Sequence, residues 1–133
     1  MTIGHQFIPF LAGPTQPSQK RLHVSINHKG IIYLNNNIFR ELGRPPAVEL
    51  RFDPQHERIA VMPCNPRLNQ AFPVKNFASQ HLIHASPFCR HFGIKLDSTE
   101  KFIDPEINGG ILYLDLKATV RVNVIDRKRK KRG

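Results

Sequence analysis

Seven side chains able to carry positive charge, Lys20, Arg21, His23, His28, Lys29, Arg40 and Arg44, fall within one stretch of 25 residues. If His28 and Lys29 occupy a hairpin tip and Arg44 follows a helix, one surface presents several cations to phosphate groups. Such contacts position a protein on nucleic acid. Reading its sequence needs Arg or Asn on base edges, and Asn27, Asn35 and Asn37 have that chemistry. A solvated charged rim with a helix cap would use the same residues. A second run, Arg127, Lys128, Arg129, Lys130, Lys131 and Arg132, is continuous. It would hold nucleic acid by counterion release and not by base stacking, since it has no aromatic residue. Solubilisation, or contact with an acidic protein, would need nothing different from it.

Other reactive groups point to less. His81, His84, Cys89 and His91 are all possible zinc ligands. His81 and His84 are three apart on a predicted strand and so face opposite ways, while Cys89 and His91 diverge by about half a turn on a predicted helix. No metal or other cofactor is expected, and Cys89 reads as a small buried residue. Asp53 and Asp104 sit in Asp-Pro turns, where a carboxylate caps backbone amides. With no Gly-rich phosphate loop, nucleophile elbow or His-Glu metal motif, the chain does not read as an enzyme.

The net charge of +10 is uneven. Residues 1–96 hold eleven Lys or Arg against four acids, whereas residues 97–126 hold three against six. A basic surface draws polyanions, of which nucleic acid is the commonest. No apolar run approaches the ~18 residues of a membrane span, and residues 1–20 lack the basic and apolar regions of a signal peptide. Two cysteines, Cys64 and Cys89, are too few for a disulfide framework and fit a reducing cytosol. The expected location is cytoplasmic, or nucleoid-associated if DNA is bound.

These side chains must be positioned by a mainly β architecture with two short helices. Residues 1–20, with Gly13-Pro14 and Pro17, read as a loose arm. Leu22, Val24 and Ile26 alternate with His23, Ser25 and Asn27, the pattern of a half-buried strand. Lys29-Gly30 turns it into a second strand, Ile31 to Leu34. Asn35, Asn36 and Asn37 then cap a helix of about two turns that ends at Gly43. Val48, Leu50 and Phe52 alternate up to the Asp53-Pro54 turn, and Ile59 and Val61 continue the inward face. Residues 64–79 read as a Pro-rich linker whose Leu68, Phe72, Val74 and Phe77 pack across the core. Residues 118–125 alternate again, with Val120, Val122 and Val124 on one face.

Much of this is said twice. Ile38-Phe39-Arg40-Glu41-Leu42-Gly43 is answered fifty residues on by Phe88-Cys89-Arg90-His91-Phe92-Gly93, and Phe52-Asp53-Pro54 by Ile103-Asp104-Pro105. Self-similarity of this kind marks a duplicated supersecondary unit. One unit of ~45 residues is near the lower limit for independent folding, so two must share a core.

The order strand, Lys-Gly turn, strand, short helix ending in Leu-Gly, strand, acidic turn, strand resembles the AbrB-like swapped-hairpin family of bacterial DNA-binding proteins. The residues carrying the resemblance run from Val24 to Leu34, from Ile38 to Gly43 and from Ala47 to Pro63. A tandem pair in one chain is similar to the MraZ-type regulators. The resemblance implies tandem swapped-hairpin units forming a small β-barrel-like core, with residues 21–63 the first unit and 80–125 a second, degenerate unit plus a final strand. Residues 126–133 would be a disordered basic tail. It also implies interleaved homodimers, with Lys29 in the turn and Arg40 on the helix facing DNA. The family often has a basic residue after Lys-Gly, where this chain has Ile31, and a Pro opening the helix, where it has asparagines. The expected function is a non-enzymatic DNA-binding transcriptional regulator that docks the first hairpin and helix, with the tail adding affinity. Alternatives are an antitoxin-like protein-interaction module using Phe7 to Leu11 as its arm, or an RNA-associated basic protein.

Overall fold

The computed structural model describes residues 22–122. Ten strands form one continuous sheet curled into a half-barrel, and two short helices accompany them. In chain order the elements are β1 (Val24–Ile26), β2 (Ile31–Asn35), α1 (Asn36–Glu41), β3 (Ala47–Asp53), β4 (Arg58–Pro63), β5 (Phe72–Phe77), β6 (Gln80–His84), α2 (Ser86–Phe92), β7 (Glu100–Phe102), β8 (Glu106–Asn108), β9 (Ile111–Asp115) and β10 (Thr119–Arg121). Their order across the sheet is β10-β7-β1-β2-β6-β5-β3-β4-β9-β8.

Local chemistry sets each boundary. Asn27 Oδ1 accepts from the Lys29 and Ile31 amides at 2.9 Å, closing the β1–β2 turn. Asn35 caps α1 by accepting from the Ile38 amide at 3.1 Å, leaving Asn36 and Asn37 inside the first turn. α2 has no side-chain cap; Pro87 stands in its first turn, and Gly93, at φ 68°, closes it in the left-handed conformation. Asp53 accepts from the Gln55 and His56 amides, the backbone-capping role its Asp-Pro context predicts.

The sheet is palindromic over six neighbouring strands, β7-β1-β2-β6-β5-β3. β2 pairs antiparallel with β6 from Ile31↔His84 to Asn35↔Gln80. Outward from this ladder lie β1 and β5, each in a hairpin with its neighbour, and then β7 and β3. The concave face holds the core: Val24, Ile26, Ile32, Leu34, Ile38, Val48, Ile59, Val61, Ile83, Leu112 and Leu114 are at most 1 % exposed. The alternation read over β1, β3 and β4 is thus the inward face. Phe52 of β3 meets Phe88 edge-on and packs on Phe92, fastening α2 to the first half of the chain.

Three stretches differ from the sequence expectation. Within the stretch read as a linker, residues 72–77 form β5, which is integral to the sheet. Only Val74 of its apolar residues is buried; Phe77 lies an odd number of positions away and faces outward, and Leu68 is also exposed. Secondly, β7 does not pair with β9 as β3 pairs with β4. The Gly109-Gly110 turn, both residues at positive φ, instead folds β8 onto β9, while β10 takes the edge of β7. Thirdly, β10 covers only Thr119–Arg121, and its Val120 is exposed because Thr119 and Arg121 hold the concave side. Residues 1–20, the basic tail at 126–133, Lys20, Arg21 and Val124 lie outside the described residues.

One close approach locks the two halves together. Gly30 is at φ 81°, and a Cβ there would stand 2.9 Å from Ser86 Cα and 3.2 Å from Ser86 N. The Ala85 amide donates to Gly30 O at 2.9 Å. Gly93 has a similar φ but open space around it. Gly30→Ala is therefore expected to cost about 2 kcal/mol or more, from left-handed strain plus overlap with backbone that cannot rotate away. Gly93→Ala should cost about 1 kcal/mol, from strain alone. Urea unfolding checks this, and equal midpoint shifts would refute the close-contact argument.

Candidate nucleic-acid interface

Because β2 and β6 run antiparallel, the helices that follow them leave from opposite ends of the ladder. α1 starts beside the Asn35–Gln80 pair and α2 beside the Ile31–His84 pair. Five registered pairs put those ends ~13 Å apart. The turn before β2 lies at the α2 end, and the turn before β6 at the α1 end. Each hairpin turn is consequently served by the helix of the other half.

At the α2 end this produces a groove of about 590 Å³. One wall is the turn Asn27, His28, Lys29 and Gly30; the other is α2 and its exit, with Arg90, Ile94 and Lys95. His28, Lys29, Arg90 and Lys95 are all exposed. Arg90 donates to Ser86 Oγ at 2.8 Å, which holds its guanidinium along the helix. Asp97 is the one acid in the lining. The thiol of Cys89, buried as its sequence context predicts, forms part of the floor, and burial pushes its pKa up.

Of the DNA-contact residues expected from the sequence, the structure brings His28 and Lys29 together in this groove. Arg40 and Arg44 are absent from its lining. Both are exposed, Arg40 on α1 and Arg44 just beyond it, at the other end of the ladder. Arg40 donates to Asn37 Oδ1 at 2.5 Å. Sequence reasoning missed Arg90 and Lys95 as partners of Lys29. The fifty-residue echo could have found Arg90, which stands where Arg40 stands in the first copy, but not the antiparallel pairing that brings it to Lys29.

The α1 end is built differently. Its turn is Ala78-Ser79, with no cation, and Ala78 takes φ 51°. His81, 5 % exposed, stacks on Phe39 with ring centroids 3.9 Å apart. Its ring nitrogens meet the side-chain amides of Asn76 at 2.7 Å and Asn36 at 2.6 Å. Burial, and secondarily the Arg44 charge, push the His81 pKa below its usual value, so the ring is neutral near pH 7. A neutral ring donates at one nitrogen and accepts at the other, so one of the two amides presents its NH₂ group. His84 is exposed, on the opposite side of β6 as the spacing predicted. Among the described residues no three His, Cys, Asp or Glu side chains are grouped to hold a metal ion. Also among them, no helix is long and apolar enough to cross a membrane.

No protein-family model matches this chain, and no curated protein or solved structure matches it either.

The sign of the His81 shift fixes a pH dependence. Its folded pKa is depressed from an unfolded value of ~6.5, so its stabilising contribution is complete above that pH and is lost as pH falls through the lower folded value. Wild type should lose more stability between pH 7.5 and pH 5 than His81→Gln, measured as urea midpoints. Identical losses would show that His81 is not the group responsible.

Proposed function

We propose that this protein is a non-enzymatic DNA-binding protein, a transcriptional regulator built of tandem AbrB-like units. It docks the β1–β2 turn and α2 on the phosphates of a duplex. The observation that carries this reading is the groove at the α2 end, where Lys29, Arg90 and Lys95 converge with a single acid, Asp97. Supporting it are the palindromic strand order and Pro87 in the first turn of α2, the helix-opening Pro that α1 lacks. The docking helix is then that of the second half, not α1 as the sequence implied, because the antiparallel ladder sets α2 beside the Lys29 turn.

The two halves that a swapped-hairpin dimer draws from two chains are here supplied by one, through the β2·β6 and β4·β9 ladders. A homodimer would double the grooves for a two-fold target site. Arg40 and Arg44 would add phosphate contacts from the α1 end, and Lys20, Arg21 and residues 127–132 a sequence-independent increment of affinity.

Salt titration of duplex binding provides the test. Lys29→Ala and Arg90→Ala should each weaken binding and reduce the slope of log K against log salt by ~0.9, the value of one lost phosphate contact. Slopes unchanged in both variants, in full-length protein, would remove the groove from the interface.

A further inference from the structure

The sheet ends in two open edges, β10 and β8. The two edges are unlike. β8 is preceded by Pro105, which has no amide to donate, and begins with Glu106. Proline and charge guard an edge against pairing with another chain. β10, Thr119–Arg121, has neither proline nor carboxylate along it.

Hydrogen-bond polarity along β10 is fixed by its ladder with β7. The Ile103 amide donates to Ala118 O at 2.9 Å, and the Val122 amide to Thr99 O at 2.8 Å. Ala118, Val120 and Val122 thus direct their backbone groups toward β7, and by alternation Thr119 and Arg121 direct theirs to the open edge. Two apolar side chains flank this edge on the outward side: Val120 is 49 % exposed and Ile103, beside Ala118, 61 %. On the concave side Thr119 Oγ donates to Glu100 at 2.8 Å, drawing that carboxylate into the Thr119 row. Arg121 is exposed and makes no ion pair among the described residues.

We infer that the open edge of β10 is a self-association surface, where a second copy of this chain pairs its own β10 antiparallel about a two-fold axis through Val120. Val120 then faces its equivalent as a non-hydrogen-bonded pair, the closer kind, with Cα atoms ~4.5 Å apart. Thr119 and Arg121 stand opposite the partner's Arg121 and Thr119, and each pair exchanges both of its backbone hydrogen bonds. Charge selects a second copy over an unrelated strand. The partner's Arg121 enters the Thr119 row, where the Glu100 carboxylate already lies, and the symmetry repeats that ion pair. Outward, Ile103, Ala118 and the partner's Val122 share one row, so apolar side chains of both copies cover each other. Pairing with a β8 edge instead would set Pro105 and Glu106 against the contact and would propagate as an open chain. The strand is short, three residues in each copy, so the dimer is weak, with a dissociation constant on the order of 10 μM. It needs neither DNA nor the groove.

Sedimentation equilibrium of full-length protein without DNA tests this. Wild type should pass from monomer to dimer between about 1 and about 100 μM. Arg121→Pro removes an edge-facing amide and a cation but no bond to β7. It should raise the dissociation constant at least ~10-fold while leaving the monomer's melting curve unchanged. Arg121→Glu alone sets like charges across the axis, as does Glu100→Lys alone, and each should stay monomeric at about 100 μM. An equal mixture of these two variants restores both ion pairs between copies and should dimerise. A role for Glu100 and Arg121 within one chain cannot produce that recovery. Wild type that stays monomeric at about 100 μM would overturn the proposal, the edge then being left to another partner or to none. So would a dimer that Arg121→Pro leaves intact, since its interface would lie elsewhere, or a mixture no more dimeric than its components. The groove variants do not enter these measurements, so the duplex reading and this one fail separately.

Discussion

The antiparallel pairing of β2 with β6 is the constraint from which the rest follows. It places two helix-bearing hairpins head to tail in one sheet, so that the apolar rows of both meet in a single core around Ile32, Leu34 and Ile83. A hairpin alone would leave Ile32 and Leu34 in water, and burying such side chains is worth roughly 1.5–3 kcal/mol each. Because the pairing is antiparallel, it also exchanges neighbours. The turn of one half meets the helix of the other, and Gly30 must come within backbone contact of Ser86 for the ladder to close in this register. The position of the charge groove is thus a consequence of how the core is satisfied.

What the sequence disclosed depended on the range of the interactions involved. The alternation through Val24, Ile26, Val48, Leu50, Ile59 and Val61 was readable because a strand with one buried face writes its period into the chain. The Asn35 cap, the left-handed Gly43 and the Asp53 turn were readable because their hydrogen bonds span no more than five residues. β5 was not. Its burial pattern leaves only Val74 covered, and the proline at its second position mimics a linker. It is ordered by its register with β6 and by the Val74 amide donating to Pro46 O, both longer-range effects. β8 was likewise invisible, being three residues pinned by a Gly-Gly turn.

The candidate site followed the same division. Lys29 was legible as a turn cation, and its chemistry required no fold to recognise. That its partners are Arg90 and Lys95 depends on strand pairing, which residue types do not encode locally. The repeat supplied half of the answer by aligning Arg90 with Arg40. It gave no sign that the two arginines would lie at opposite ends of the ladder.

The two ends of that ladder are built differently. At the α2 end the turn carries His28 and Lys29, and the space between turn and helix is open enough to form a groove. At the α1 end the equivalent turn is Ala78-Ser79, and the space beneath it is filled by His81, sandwiched on Phe39 and held by Asn36 and Asn76. A buried imidazole with both nitrogens engaged orients its surroundings but has nothing left to offer a ligand. One end is therefore closed over a structural polar network, while at the other His28, Lys29, Arg90 and Lys95 stand exposed. The closed end leaves Phe77, which borders the Ala78-Ser79 turn, on the convex side. There its ring stands in solvent beside a turn that carries no charge, the opposite of the Lys29 turn, whose cations face a helix across a groove.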